Sequence, residues 1–394
     1  MFKKRNFIYS ATVFAGVLLC LGWASPSASQ ETLKIGSIWG LSGPLSQLGV
    51  VCRDGAVLAA DWINSKGGIT IQGKKYKIDL VVEDNKNSAP GSVNAATKLV
   101  HKDRVKFITG MNIPFQIEAA QTVTEPARVI LSTGKASNLL PKNRYTFSAT
   151  QGFTAPIPYL YDFLGKMYPD VKTVSFISND EAGALIVSKV TRSIAQTHRY
   201  KLMETNLVQF GAKEYYPTWT KILKDKPDAV DIGISAPDDL AAKARQGREL
   251  GFKGPLITCN TGDPGVFIHL IGKDATDFIF AGFEPTAADT PAMVKTIVKL
   301  WDQKYKKPFS LDAIDGFSSV WTLAQAIEKA QSLDPDKVTM VWEKMETIET
   351  PTGQGKMGGL KAFGINHMVL APAPVTLLKN GKVESTRWYP PASL

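Results

Sequence analysis

The length and composition of the chain indicate a large globular protein. Its 394 residues, of which 44% are hydrophobic and 21% charged, are enough to build two hydrophobic cores. The formal net charge of +10 is spread along the sequence. The chain has no arginine-rich arm and no basic stretch interleaved with aromatic residues, so nucleic acid is not expected as a partner. A basic surface of this kind mildly favours anionic solutes by electrostatic steering.

The N-terminus has the three parts of a secretory signal peptide. A basic segment at residues 3–5 precedes an apolar run over 7–23, and small residues follow over 24–29. This pattern predicts export and cleavage, and we assign residues 1–28 to the signal peptide. A membrane anchor is the alternative, but the run is marginal for the ~20 residues that a bilayer span needs. No later segment approaches that length without charges, so we expect a soluble mature protein.

Short apolar strands alternate with helices along the rest of the chain. Residues 33–39 read as a strand, and residues 54–64 carry apolar side chains at helical spacing until Gly67 and Gly68 end the helix. The same alternation continues to about residue 283. It predicts an α/β protein with doubly wound parallel sheets. Ligands of such sheets bind beyond the carboxyl ends of the strands, which directs attention to the residues after each strand.

No motif in the sequence indicates an enzyme, a metal site or a cofactor. The glycine-rich stretch over 353–359 lacks the lysine and serine that end a phosphate-binding loop. No nucleophile elbow, zinc-binding helix or paired-carboxylate motif is present. The four histidines have no metal-ligand spacing; they are His101, His198, His269 and His367.

The order of several short motifs resembles the branched-chain amino-acid-binding proteins of ABC importers. Each motif alone is common, but their order and spacing extend over nearly the whole mature chain. The motifs are Ile35-Gly36, Leu41-Ser42-Gly43-Pro44-Leu45, Gly49, Gly55-Ala56, Ile63-Asn64, Gly67-Gly68-Ile69, the run 79–84, Arg245-Gln246, Leu250-Gly251 and the loop 262–275.

The resemblance implies a type I periplasmic-binding fold, in which two doubly wound parallel-sheet lobes are joined by a three-strand hinge over a central cleft. A ligand that bridges both lobes would favour the closed state. The chain is expected to cross between lobes near 148–150, 283–285 and 348–351. Lobe 1 then comprises residues 29–149 plus 285–348, and lobe 2 comprises 150–284 plus 349–394.

The resemblance also implies a function. We expect a periplasmic, monomeric solute-binding protein that captures a small molecule and delivers it to the permease subunits of an ABC importer. A sensor component that presents its ligand to a separate membrane protein is an alternative. An amino-acid-binding protein of the same transporter class, for branched-chain or other amino acids, is another.

The cysteines are expected to be free in the mature protein. Cys20 lies in the signal segment, and Leu19 before it argues against lipid attachment. Cys52 and Cys259 lack metal-site spacing, although a disulfide between them is possible in principle in an oxidising compartment. Because they fall in different lobes, such a bond would oppose ligand exchange.

The expected ligand positions depart from those of amino-acid binders. The family's carboxylate-binding serine corresponds to Pro114, which has neither a hydroxyl nor an amide proton. The ammonium-binding acid corresponds to Thr261, with Asp263 two residues later, and an aromatic residue corresponds to Ala182. A buried charge without a partner costs several kcal/mol. The sequence therefore predicts that leucine, isoleucine and valine bind poorly.

The remaining side chains suit an organic or aromatic acid. Lys135 would bind its carboxylate, while an amine on Asp263 would favour the amino-acid alternative. The competing interpretations are that the aromatic residues pack in the core, that the lysine is solvated at the surface and that the aspartate shapes a turn. The eight expected ligand-binding residues are Trp39, Phe115, Lys135, Ser137, Ala182, Ala236, Asn260 and Asp263.

Overall fold

The computed structural model describes residues 31–43, 45–136, 139–180, 182–198, 200–209 and 211–392. The predicted signal peptide and Ser137 lie outside the described residues. Within those ranges, none of the helices combines the length and the apolar composition that a membrane crossing requires.

The first part of the chain builds most of lobe 1. Its elements are β1 (Glu31–Trp39), α1 (Ser46–Ser65), β2 (Ile69–Ile71), β3 (Lys74–Asp84), α2 (Ala89–Thr97) with a π-helical turn at Lys98–Lys102, β4 (Phe107–Gly110), α3 (Pro114–Thr124), β5 (Ile130–Thr133) and β6 (Thr146–Ser148). Every residue of β4, β5 and β6 is buried, as expected for parallel strands that are covered on both faces by helices.

The second part of the chain builds lobe 2. Its elements are α4 (Ile157–Met167), β7 (Thr173–Asn179), α5 (Ala182–Thr197), β8 (Lys201–Val208), α6 (Tyr216–Lys224), β9 (Ala229–Asp231), α7 (Pro237–Glu249), β10 (Leu256–Gly262), α8 (Pro264–Ile271) with a 3-10 turn at Gly272–Asp274, and β11 (Phe278–Gly282).

The chain then returns to lobe 1 and finally to lobe 2. The lobe 1 elements are α9 (Ala292–Tyr305), α10 (Ala313–Ala330), α11 (Pro335–Trp342), β12 (Ile348–Thr350), β13 (Gly353–Gly358), α12 (Leu360–Phe363) and β14 (Met368–Leu370). The hairpin of β15 (Ala373–Lys379) and β16 (Lys382–Tyr389) completes lobe 2.

Two separate sheets confirm the predicted fold class. The lobe 1 sheet has the order β12-β13-β14-β6-β5-β4-β1-β3-β2, and the lobe 2 sheet has the order β16-β15-β11-β10-β9-β7-β8. The central strands of each sheet pair in parallel. Antiparallel strands stand at both edges of the lobe 1 sheet and at the β16 edge of the lobe 2 sheet, whereas β8 at the other edge is parallel to β7. Each lobe therefore directs the carboxyl ends of several parallel strands toward one edge.

The structure places the last crossing between lobes later than the sequence predicted. The expected crossing at 348–351 would assign all later residues to lobe 2. Instead, β13 pairs with β14, and β14 pairs with β6 in the lobe 1 sheet. Met357 and Val369 on these strands are buried in the lobe 1 core. The domain boundary is therefore corrected to the short segment between Leu370 and Ala373.

Two glycines allow α1 and α10 to pack closely in lobe 1. A Cβ atom on Gly316 would overlap the carbonyl oxygen of Cys52, and one on Gly55 would overlap the carbonyl oxygen of Ala313. The close approach sets the position of Asp315, which precedes Gly316 on α10. Cys52 is buried and free, as is Cys259 in lobe 2, in agreement with the sequence prediction.

We expect Gly316→Ala to lower the free energy of unfolding by about 1–3 kcal/mol, because the added methyl group overpacks the contact between α1 and α10. Urea unfolding of the mature protein would measure this change. Lys329→Ala on the exposed side of α10 is the control and should change stability by less than about 0.5 kcal/mol. Equal stabilities of the wild type and Gly316→Ala would contradict this account of the packing.

Candidate functional site

A cavity of about 240 Å³ lies between the two lobes. Residues of all three chain crossings contribute to its wall, through segments 149–152, 281–283 and 371–374. Most of the accessible surface of the cavity lining is apolar, and the apolar side chains include Phe267, Phe309 and Leu311. The cavity therefore occupies the hinge side of the cleft, where a bound molecule would contact both lobes at once.

Lys135 connects the lobes across this cavity. It follows β5 in lobe 1, and its Nζ lies 2.9 Å from Oδ2 of Asp315. The same Nζ donates a hydrogen bond of 3.0 Å to Oγ1 of Thr261 at the end of β10 in lobe 2. It also lies 5.3 Å from the ring centroid of Phe153. Lys135 is the one basic residue among the described residues that line the cavity.

The ion pair of Lys135 and Asp315 is shielded from water. The two side chains are 13% and 6% exposed, respectively. Burial acts to lower the pKa of Lys135, but the carboxylates of Asp315 and Asp312 outweigh burial and raise it. Burial raises the pKa of Asp315 to about 6, against the opposing effect of Lys135. At neutral pH the lysine is therefore charged, and the aspartate is mostly ionised, with a pKa about one unit below neutrality.

Two further aspartates line the cavity. Asp263 begins α8, where its Oδ1 accepts a 2.7 Å hydrogen bond from the amide of Gly265, and burial raises the pKa of its carboxyl group. Asp312 precedes α10, and its Oδ2 accepts a 3.2 Å hydrogen bond from the hydroxyl of Ser310. The described lining thus carries three carboxyl groups and one ammonium group.

A buried lysine holds together the lobe 2 side of the cleft. Lys243 on α7 has no solvent exposure. Its Nζ donates hydrogen bonds to Oδ1 of Asn179 at 3.1 Å, to the carbonyl oxygen of Ile232 at 3.2 Å and to Oγ of Ser235 at 2.9 Å. Burial lowers the pKa of Lys243 to about 8. These contacts attach the end of β7 to the loop after β9.

Asn260 on β10 extends this network from the other side. Its Nδ2 donates a 2.8 Å hydrogen bond to the carbonyl oxygen of Ser235, and its Oδ1 accepts one of 3.2 Å from the amide of Ser235. The loop that leads to Pro237, which lines the cavity, is therefore fastened to strands on both sides. Asn260 was predicted to be a ligand-binding residue; in this structure its side chain supports the loop.

The structure brings Lys135 and Asp263 together in the cavity lining. Trp39 instead is 2% exposed in the lobe 1 core, where its Nε1 donates a hydrogen bond to Oγ of Ser37. Phe115, at the start of α3, is 46% exposed and is absent from the described lining. Trp39 lines a separate, small pocket of lobe 1 together with Asn112 and Gln116.

Of the remaining predicted positions, Ala236 adjoins the cavity lining. Ala236 is exposed and forms the N-cap of α7, next to the lining residue Pro237. Ala182 is the first residue of α5, and Ser137 lies outside the described residues.

Sequence reasoning missed the contribution of the segment that leads into α10. This segment supplies Phe309 and Asp312 to the cavity, and the first turns of α10 supply Asp315 and Ser318. One feature could have revealed it. Acidic and small polar residues interrupt an otherwise apolar helix over 313–327. A carboxylate on a buried helix is rarely found without a charged partner or a functional site.

The comparisons with known proteins agree with this architecture. The model of the periplasmic binding protein family matches residues 32–381. The leucine-, isoleucine-, valine-, threonine- and alanine-binding protein of Pseudomonas aeruginosa is 26% identical over 371 residues, which cover 91% of this chain and 95% of the relative.

Two solved structures share the fold. The substrate-binding protein LivJ of Streptococcus pneumoniae, in complex with isoleucine, is 22% identical with a TM-score of 0.74 and covers 92% of this chain and 100% of its own. A solute-binding protein from Rhodopseudomonas palustris, in complex with 3,4-dihydroxybenzoic acid, is 18% identical with a TM-score of 0.71 and covers 92% and 98%.

The two lobes and the cavity between them define a solute-binding protein of the hinged, two-lobed class. The chain belongs to the periplasmic binding protein family. It is accordingly a binding protein for transport and not an enzyme.

We expect the buried Lys243 to make stability depend on pH. Its folded-state pKa of about 8 lies below the ordinary lysine value of about 10.4. Between these values the unfolded chain binds more protons, so this group's contribution to stability rises with pH. From about pH 7.5 to about pH 9.5, the wild type should gain roughly 1–2 kcal/mol relative to Lys243→Met.

Urea unfolding at a series of pH values measures this difference. Lys253→Met in the same lobe replaces an exposed lysine and should follow the wild type at every pH. Parallel stability curves for the wild type and Lys243→Met would show that the buried amine does not titrate in this range.

Proposed function

We propose that the protein captures a small organic acid with an aromatic or apolar body in the interlobe cavity and delivers it, in the periplasm, to the permease subunits of an ABC importer. The observation that carries the proposal is Lys135, a charged lysine in the wall of a largely apolar cavity. The family supports capture of a solute, and the chemistry of the lining supports the kind of solute.

The lysine has one donor left for a ligand. An ammonium group carries three protons, and those of Lys135 are shared with Asp315 and with Oγ1 of Thr261. A ligand carboxylate could accept the third. A charge-assisted hydrogen bond of this kind is worth about 1.5–3 kcal/mol.

The apolar lining favours a ligand whose body is a ring or a branched chain. Phe267 comes from lobe 2, Phe283 from a crossing, and Phe309, Leu311 and Ile314 from lobe 1. Burial of apolar surface contributes about 25 cal/mol per Å². Because these side chains belong to both lobes, a ligand seated among them favours the closed arrangement.

An amino acid is the second candidate. It is favoured by the excess of carboxyl groups in the lining, since Asp263 or Asp312 could pair with an ammonium group while Lys135 holds the carboxylate. The similar protein of Pseudomonas aeruginosa carries the name of an amino-acid-binding protein. Both carboxylates already accept hydrogen bonds from their own turns, which weakens this candidate relative to the first.

We expect calorimetry to rank benzoate and 4-hydroxybenzoate above leucine and isovalerate. Lys135→Met should weaken binding of the best acid by about tenfold to a hundredfold, because it removes a charge-assisted hydrogen bond. Lys142→Ala, which replaces an exposed lysine of the same lobe, should bind like the wild type. Submicromolar binding of leucine, with the aromatic acids weak, would reject the first candidate in favour of the second.

Closure of the two lobes on ligand binding should be measurable in solution. If the ligand bridges the lobes, the radius of gyration measured by small-angle scattering should fall when the best acid saturates the mature protein. The molecular mass from the same data should be that of a monomer in both states. An unchanged radius at saturation would count against closure by the ligand.

A further inference from the structure

Lys135 already has an anionic partner within the protein. Asp315 lies 2.9 Å from the ammonium group and is 6% exposed. A ligand carboxylate that binds the same lysine would place a second negative charge beside Asp315 in a poorly hydrated cavity. Two carboxylates that share one site cannot both stay ionised at little cost, and the free energy of one of them is lowered by protonation.

We propose that Asp315 takes up one proton from solvent when a carboxylate ligand binds Lys135, so that the acid is captured together with a proton. The proposal rests on the proposed function, because it concerns the same site and the same class of ligand. It makes Asp315 a specificity-determining residue that admits an anion when it is protonated and competes with the anion when it is ionised.

The groups around Asp315 favour protonation of Asp315 rather than of a neighbouring group. Lys135 faces it from the loop after β5, and Asn112, after β4, donates a 3.2 Å hydrogen bond to its Oδ2. Cys52 on α1 is a buried thiol whose pKa is raised by burial, so it stays neutral. Asp312 adds a negative charge from the turn before α10. This leaves Asp315 flanked by one cation, one anion and two neutral groups.

Protonation of Asp315 also preserves its hydrogen bonding. A neutral Asp315 can still accept the hydrogen bond from Asn112, while its hydroxyl can donate to the ligand carboxylate. Burial holds the pKa of Asp315 at about 6 before any ligand arrives, so the proton is taken up readily near neutral pH. The ligand itself stays ionised, because ordinary carboxylic acids have pKa values of about 4.

Calorimetry in two buffers of different ionisation enthalpy tests the proposal by counting protons. The probe is the tightest binder among benzoate, 4-hydroxybenzoate, isovalerate and leucine. The wild type should take up close to one proton at about pH 7 and close to none at about pH 5, where Asp315 is already protonated. Between about pH 6.5 and about pH 8, its affinity should fall by up to about tenfold per pH unit.

Two variants assign the proton. Asp315→Asn mimics the protonated group; it should bind the acid more tightly than the wild type at about pH 7.5, without proton uptake and without pH dependence. Asp263→Asn removes a half-buried carboxyl group elsewhere in the lining; whatever its affinity, it should keep the proton uptake of the wild type. Loss of uptake in Asp263→Asn but not in Asp315→Asn would overturn the assignment.

The outcomes separate this inference from the proposed function. Tight binding of an acid by the wild type without proton uptake would overturn the inference and leave the function standing. Failure of all four probes to bind either the wild type or Asp315→Asn would overturn the proposed function. The number of protons that the wild type takes up on binding tests the inference even if the Asp315→Asn variant does not fold.

Discussion

The contact between Lys135 and Asp315 is the interaction on which the site depends. A charged lysine in an apolar cavity is stable only with a partner, because an isolated buried ion costs several kcal/mol. Asp315 supplies that partner within lobe 1, and Thr261 adds a hydrogen bond from lobe 2. The same contact keeps the lysine oriented toward the cleft. Any ligand acid must share the lysine with this aspartate, which links recognition to the charge of the cavity.

The architecture around this ion pair follows from close packing in lobe 1. Gly55 and Gly316 let α1 and α10 approach until their backbones touch. The N-terminal turns of α10 thereby reach the hinge. The carboxylate of Asp315 lies beside the loops that follow β4 and β5, where parallel strands end. The ion pair is thus assembled from a strand end and a helix start that are far apart in sequence.

Lobe 2 also contains a buried lysine, but uncharged groups accept its hydrogen bonds. Lys243 is buried with neutral acceptors only, and it secures the loops after β7 and β9 instead of facing the cavity. Asn260 fastens the same loop from β10. Two lysines therefore have different roles around the cleft: Lys135 lines the cavity, while Lys243 holds the loops of lobe 2 in place.

The fold class and the family could be predicted from the sequence, because strand-helix alternation and ordered motifs are local properties. Lys135 and Asp263 were also predicted, and both line the cavity. The full set of side chains that share the cavity depends on tertiary packing. Trp39 ends a strand, as expected, yet its side chain turns into the core, since one step along a strand reverses the facing of a residue. Asp315 and Phe309 reach the site through a helix packing and a chain crossing, and β13 and β14 join lobe 1 by long-range pairing. These depend on contacts between distant residues, which local patterns do not encode.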